Sequence, residues 1–124
     1  MSFRIWKEFH FSASHQLTHL APGHPCARLH GHNYVVEVEL ASNAVNEHGF
    51  VLDYNALKPL GRWIDDVLDH RHLNEVLGDA RATTAEHLAE RVFMEAQTLL
   101  GGVGHLVSAV RVRETPKTCA EYRP

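Results

Sequence analysis

From Phe3 to His15 the apolar side chains Phe3, Ile5, Phe9, Phe11 and Ala13 fall on odd positions, with Glu8, His10, Ser12 and Ser14 between them. Period two is the signature of a half-buried β-strand, and it leaves His15 on the inward side and His10 on the outward one. The alternation resumes at His30, where His32, Tyr34, Val36, Val38 and Leu40 share one face while Glu37 and Glu39 share the other. The two segments are expected to pair antiparallel. Between them, "THLAPGHPCAR" is broken by Pro22, Gly23 and Pro25, which predicts a loop carrying His19 and His24.

"ASNAVNEHGF" predicts a turn, after which the period changes. Leu57, Leu60, Ile64, Val67 and Leu68 follow helical spacing, with Pro59 near the first turn. A second helix is predicted over "TTAEHLAERVFMEAQTLL": Thr83 and Glu86 fit a capping box, and Leu88, Val92, Phe93, Ala96 and Leu99 form the stripe. Gly101 and Gly102 end it, "HLVSAVRVRET" alternates again, and "CAEYRP" supplies a short last strand. The predicted order is ββααββ, an α+β fold with two helices on one face of a four-stranded antiparallel sheet.

Composition narrows the function. The 124 residues, 44% of them apolar, suit a single domain over 1–124 with its own core. A formal charge of −3 with interspersed signs presents no basic face for nucleic acid. No apolar run reaches membrane-span length and "MSFRIWKEFHF" is unlike a signal peptide, so the expected setting is cytoplasmic, with Cys26 and Cys119 reduced. The anomaly is histidine. Of 11 in the chain, His10, His15, His19, His24, His30 and His32 fall in one short stretch.

Residues two apart on a strand project from the same face about 6 to 7 Å apart, so His30 and His32 can converge on one ion. Gly31 clears the opposite side, and His15 has the parity to supply a third imidazole. Three neutral histidines with one open position describe a catalytic zinc site. Cys26, four residues before His30, admits three readings: a small buried hydrophobe, a fourth ligand that closes the site, or a base acidified by the cation. In "LDHRHLN" Asp69 stands next to His70, where a carboxylate can orient an imidazole for proton transfer; a solvated helix end is the alternative. Glu114, after the third strand of the pattern, is either an exposed acid or part of the site.

The segments "FHFSASHQL", "GHPCARLHGHNY", "VLDYNALK", "LDHRHLN", "TTAEHLAE" and "RETPKTCAEYR" together resemble, in order and over nearly the whole chain, the 6-pyruvoyltetrahydropterin synthase and 6-carboxytetrahydropterin synthase family. The resemblance implies a tunnelling fold, in which sheets from three subunits close into a barrel and two trimers stack as a homohexamer. It implies zinc on His15, His30 and His32, Cys26 as the base, and Asp69 with His70 as its partner dyad from an adjacent subunit. Glu114 would anchor the pterin through paired hydrogen bonds, with Thr84 as a further contact. The three residues between Cys26 and His30 resemble the bacterial 6-carboxytetrahydropterin synthases of queuosine biosynthesis. These convert 7,8-dihydroneopterin triphosphate to 6-carboxytetrahydropterin, acetaldehyde and triphosphate. Alternatives are the pyruvoyl product, or a zinc- or pterin-binding module without turnover; a zinc-storage module predicts Cys26 on the metal.

Overall fold

The computed structural model describes all 124 residues. In chain order it forms β1 (Phe3–His15), β2 (His30–Ser42), α1 (Lys58–Trp63), β3 (Arg71–His72), α2 (Leu73–Leu77), α3 (Ala85–Leu100), β4 (Val107–Arg113) and β5 (Ala120–Tyr122), with short 3-10 turns between. β1 and β2 make a long antiparallel hairpin whose register runs from Phe3 opposite Ser42 to His15 opposite His30. β4 adds antiparallel to β2, and β5 to β4. The sheet order is β3-β1-β2-β4-β5.

Two expectations change here. The sheet has five strands and is mixed, because Arg71 and His72 pair parallel to Ala13 and Ser14 of β1. The first helix is also not continuous. A 3-10 turn, Tyr54–Leu57, precedes α1, its first peptide capped by the Asp53 carboxylate. After Trp63 the coil widens into a π turn, Ile64–Leu68, closed by the Asp69 N–H donating to the Ile64 carbonyl at 2.9 Å. The apolar spacing is the same in either coil, so periodicity alone did not distinguish them. α2 is a further element, short enough to leave no periodic trace.

α3 is capped one residue later than the Thr83–Glu86 box predicts. The Thr84 hydroxyl accepts from the His87 N–H at 3.3 Å, whereas Thr83 is buried in the preceding turn with its hydroxyl donating to the Ala80 carbonyl. The buried stripe of α3 is Ala85, Leu88, Ala89, Val92, Phe93 and Ala96. It continues through Leu100, four residues on, while Leu99 faces solvent.

The core lies between these helices and one face of the sheet, where Tyr34, Val36, Val38 and Leu40 of β2 meet Leu57, Leu60, Ile64, Leu68, Leu88 and Val92. Each such side chain contributes roughly 1.5 to 3 kcal/mol on burial, so this layer dominates stability. The other sheet face carries ions. A bulge at the Glu39/Leu40 step of the β2–β4 ladder lets the Ser108 hydroxyl reach the Glu39 carboxylate at 2.6 Å. Arg111 and Arg123 donate to the same carboxylate at 2.9 and 3.1 Å, and both also pair with Glu121. Burial pushes the Glu39 carboxyl up, but the bonds from Ser108, Arg111 and Arg123 outweigh it and hold the group at about 2.

Candidate metal centre and active site

The hairpin register sets His15 directly across from His30, and His32 across from Ala13, whose small side chain leaves the shared face open. The ligand atoms of His15, His30 and His32 all lie within 4.8 Å of one another, with the His15 and His30 Nε2 atoms 2.9 Å apart. On the far side of two of these rings a backbone carbonyl sets the tautomer. His15 Nδ1 donates to the Thr83 carbonyl at 2.9 Å and His30 Nδ1 to the Arg28 carbonyl at 2.7 Å. Both Nε2 atoms therefore present lone pairs to the centre, the arrangement that orients metal-binding histidines.

A carboxylate lies against two of them. Glu114 Oε2 is 3.2 Å from His32 Nε2 and 3.4 Å from His15 Nε2. These contacts have the length of ion pairs, but the imidazoles are not charged at neutral pH. Burial lowers His15 to about 4, aided by the nearby His30, and lowers His32 as well. Burial and the charge of Glu86 push the Glu114 carboxyl up. The His15 and His30 nitrogen lone pairs, facing each other at 2.9 Å, repel unless a cation stands between them. Metal–nitrogen bonds of about 2.0 to 2.1 Å put tetrahedral donors about 3.3 Å apart. The Nε2 atoms of His15 and His30 are 2.9 Å apart and the ligand atoms of all three histidines lie within 4.8 Å of one another, a spread that includes that value, so the three imidazoles fit a divalent ion. Beside them the Tyr34 hydroxyl is buried with no partner, its ring 5.4 Å from that of His32. Burial raises its pKa, so it remains a phenol.

Cys26 lies in the 3-10 turn Pro25–Ala27, half-buried, and is not among the clustered ligand atoms. Its carbonyl accepts from the Leu17 N–H at 3.0 Å, which ties the loop to the chain just past His15. Both cysteines are free. Glu114 also lines a 260 Å³ pocket with Ala85, Glu86, Val112, Thr118, Cys119 and Ala120. Thr84 stands at the head of α3, one residue from this pocket, but its hydroxyl is engaged with the Arg81 carbonyl and the His87 N–H.

Asp69 and His70 follow the π turn. The Asp69 carboxylate accepts from the Ser12 N–H at 2.9 Å and contacts His70 Nδ1 at 2.9 Å; these two bonds, the Ser12 one foremost, lower its pKa. His70 has φ 58 and its N–H donates to the Ser12 carbonyl, so this non-glycine residue is held left-handed against β1. Such strain persists where surrounding structure enforces it, often at functional sites. Its side chain is exposed and lines a 490 Å³ cleft with Ser12, Ser14, Gly31, Asn33, Arg71 and His72. Ser12, Ser14, Gly31 and Asn33 have the opposite strand parity to His15 and His32. Within one chain the dyad borders the outward face of the hairpin, and the cleft it lines also reaches Ala13 and His32 of the inward parity.

Sequence reasoning missed the residues that hold these groups. Thr83 acts through its carbonyl, and Asn74 exchanges hydrogen bonds with the backbone of Gln16 at 2.8 and 2.9 Å, clamping the end of β1. Backbone acceptors leave no mark in residue type, and Asn74 showed only as one letter of "LDHRHLN".

A mixed sheet backed by helices, with three histidines converging from one hairpin, defines a metal-capable α+β domain. The chain belongs to the 6-pyruvoyl tetrahydropterin synthase family, whose model matches residues 4–124. It is 32% identical over 130 residues to the 6-carboxy-5,6,7,8-tetrahydropterin synthase of Bacillus subtilis, covering 99% of this chain and 86% of the relative. It is 38% identical to the Synechocystis protein of the same name, over 95% of this chain and 91% of the relative. Among solved structures, the 6-pyruvoyl tetrahydropterin synthase of Caenorhabditis elegans superposes with a TM-score of 0.83 at 26% identity, over 98% of this chain and 95% of that one. No helix is long and apolar enough to cross a membrane.

Proposed function

We propose that the protein is a zinc-dependent 6-carboxy-5,6,7,8-tetrahydropterin synthase. It converts 7,8-dihydroneopterin triphosphate and one water to 6-carboxytetrahydropterin, acetaldehyde and triphosphate, a step of queuosine biosynthesis in the cytoplasm. The observation that carries the reading is the convergence of the His15, His30 and His32 ligand atoms within 4.8 Å of one another, with Glu114 against two of the rings. The names of the relatives favour the carboxy product over the pyruvoyl one.

His15, His30 and His32 would hold zinc, which supplies Lewis acidity toward the side-chain oxygens of the substrate when bound. Cys26, near the cluster yet outside it, takes a proton from the adjacent carbon as thiolate. Asp69 holds His70 in one orientation and stabilises its cation, so that the imidazole returns a proton. In this reading the adjacent subunit of a homohexamer supplies the dyad. Glu114 accepts two hydrogen bonds from the pterin amine and ring N–H in the pocket beside the metal, and Thr84 closes that pocket's helix end.

Incubation of the zinc-loaded protein with 7,8-dihydroneopterin triphosphate tests the assignment by product mass. Release of acetaldehyde with a 6-carboxy pterin is expected. A product that keeps the three-carbon side chain replaces it with the pyruvoyl reaction, and no consumption of substrate reduces the protein to a binding module.

A further inference from the structure

The 490 Å³ cleft on the dyad's side of the hairpin has a chemistry of its own. Its lining is Ser12, Ala13, Ser14, Gly31, His32, Asn33, His70, Arg71 and His72, with no carboxylate. Three other polar depressions contain acids: Glu90 near α3, Glu86 with Glu114, and Glu37 with Glu39. Another, around Phe3 and Phe50, is mostly apolar. Asp69 borders the cleft, but its oxygens are taken by the Ser12 N–H and by His70.

The donors here are spare. The exposed Arg71 guanidinium makes one intramolecular hydrogen bond, to the Asp66 carbonyl at 3.2 Å, out of the five N–H groups it carries. Ser14 Oγ and His72 Nδ1 are 3.0 Å apart, leaving the other ring nitrogen of His72 without a partner. The Ser12 hydroxyl donates to Asn33 Oδ1 at 2.7 Å, which turns the oxygen of Asn33 inward and leaves its amide N–H groups to the cleft. Gly31 adds no side-chain wall. A planar guanidinium with neutral donors and no acid is the recognition set for phosphoryl oxygens.

We propose that this cleft binds the triphosphate of the substrate, with Arg71, His72 and Ser14 as its contacts. The proposal rests on the reaction assigned above. In that substrate the triphosphate ester is on the terminal carbon of a three-carbon side chain whose other two carbons lose and gain protons. A side chain placed for proton transfer with His70 therefore delivers its phosphates to the surface that adjoins His70, and that surface is the cleft.

Titration calorimetry of the zinc-loaded protein with inorganic triphosphate tests this. Arg71→Ala is expected to weaken triphosphate at least about tenfold, the loss for one charged hydrogen bond, and Arg71→Lys to restore part of it. Zinc content and affinity for neopterin, which has no phosphate, should stay the same. Ser14→Ala is the second variant and should weaken triphosphate less, since it removes a neutral donor. Unchanged affinity in both variants overturns the proposal, as does triphosphate binding that vanishes with zinc removal and ignores Arg71. If dihydroneopterin triphosphate is consumed and Arg71 has no effect, the reaction stands and the cleft assignment falls. If triphosphate binding depends on Arg71 but no turnover occurs, the cleft assignment stands and the reaction falls.

Discussion

Two polar clusters sit on the same long hairpin, and they differ in whether the protein satisfies them. On the helix side, His15, His30 and His32 converge, burial disfavours the charged form of His15 and His32, and the Tyr34 hydroxyl beside them has no partner. On the open side, Glu39 is as deeply buried as His15, yet it receives hydrogen bonds from Ser108, Arg111 and Arg123. The second cluster is complete in itself and serves the fold. The first is complete only with a cation, and marks where function is bound.

The comparison breaks most directly at the histidines. His30→Ala or His32→Ala should lose most of the zinc and all detectable turnover, since two imidazoles hold the ion poorly. The metal-free thermal stability should stay near that of the metal-free parent, and metal analysis beside calorimetry reads both. His10→Ala, whose ring is on the outward side of β1 beside Glu8, should change neither. If a histidine variant kept full zinc, the helix-side cluster would not be a metal site.

Cys26→Ala sharpens the border of that cluster. Because the thiol is outside the grouped ligand atoms, the variant should retain zinc and bind substrate while turnover falls by a factor of about 10² to 10⁴. Sulfur at about 2.3 Å from zinc in X-ray absorption of the wild-type protein would make Cys26 a ligand instead.

The open-side cluster should answer in stability alone. Glu39→Gln is expected to cost roughly 2 to 3 kcal/mol in denaturant melts, below the full cost of orphaning a buried charge because Arg111 and Arg123 retain water contact. Zinc content should not change. The pH dependence has a definite sign. Glu39 is held at about 2, below its ordinary 4.5, so its stabilisation is present above that ordinary value and is lost as pH falls toward 2. The variant's stability curve should be flatter across that window. The smallest effect belongs to Tyr34→Phe, which removes an unbonded hydroxyl and should shift stability by less than about 1 kcal/mol.

Much of the helix-side cluster was legible in the sequence, because period two assigns His15, His30 and His32 to one face whatever else the chain does. The same parity placed Tyr34, Val36, Val38 and Leu40 in the core. The open-side network was not legible. It depends on a bulge that brings Ser108 to Glu39 and on a register that brings Arg111 from β4 and Arg123 from just past β5, neither of which has a local signal. The dyad lay between these cases. Asp69 and His70 stood out as a pair, but the π turn, the left-handed His70 and the parallel contact of β3 arise from docking on β1. Family resemblance supplied the roles of Cys26, Thr84 and Glu114, which periodicity did not.

The thirteen-residue strands of the hairpin have one more consequence. A one-residue slip of β2 against β1 would turn Val36, Val38 and Leu40 out of the core in the same movement that turns His30 and His32 away from His15. The same misalignment is thus penalised twice, once by lost burial and once by lost ligands. Burial alone is enough to reject it, so the chain can reach its correct pairing before any ion arrives, and metallation becomes a late docking event on a finished scaffold.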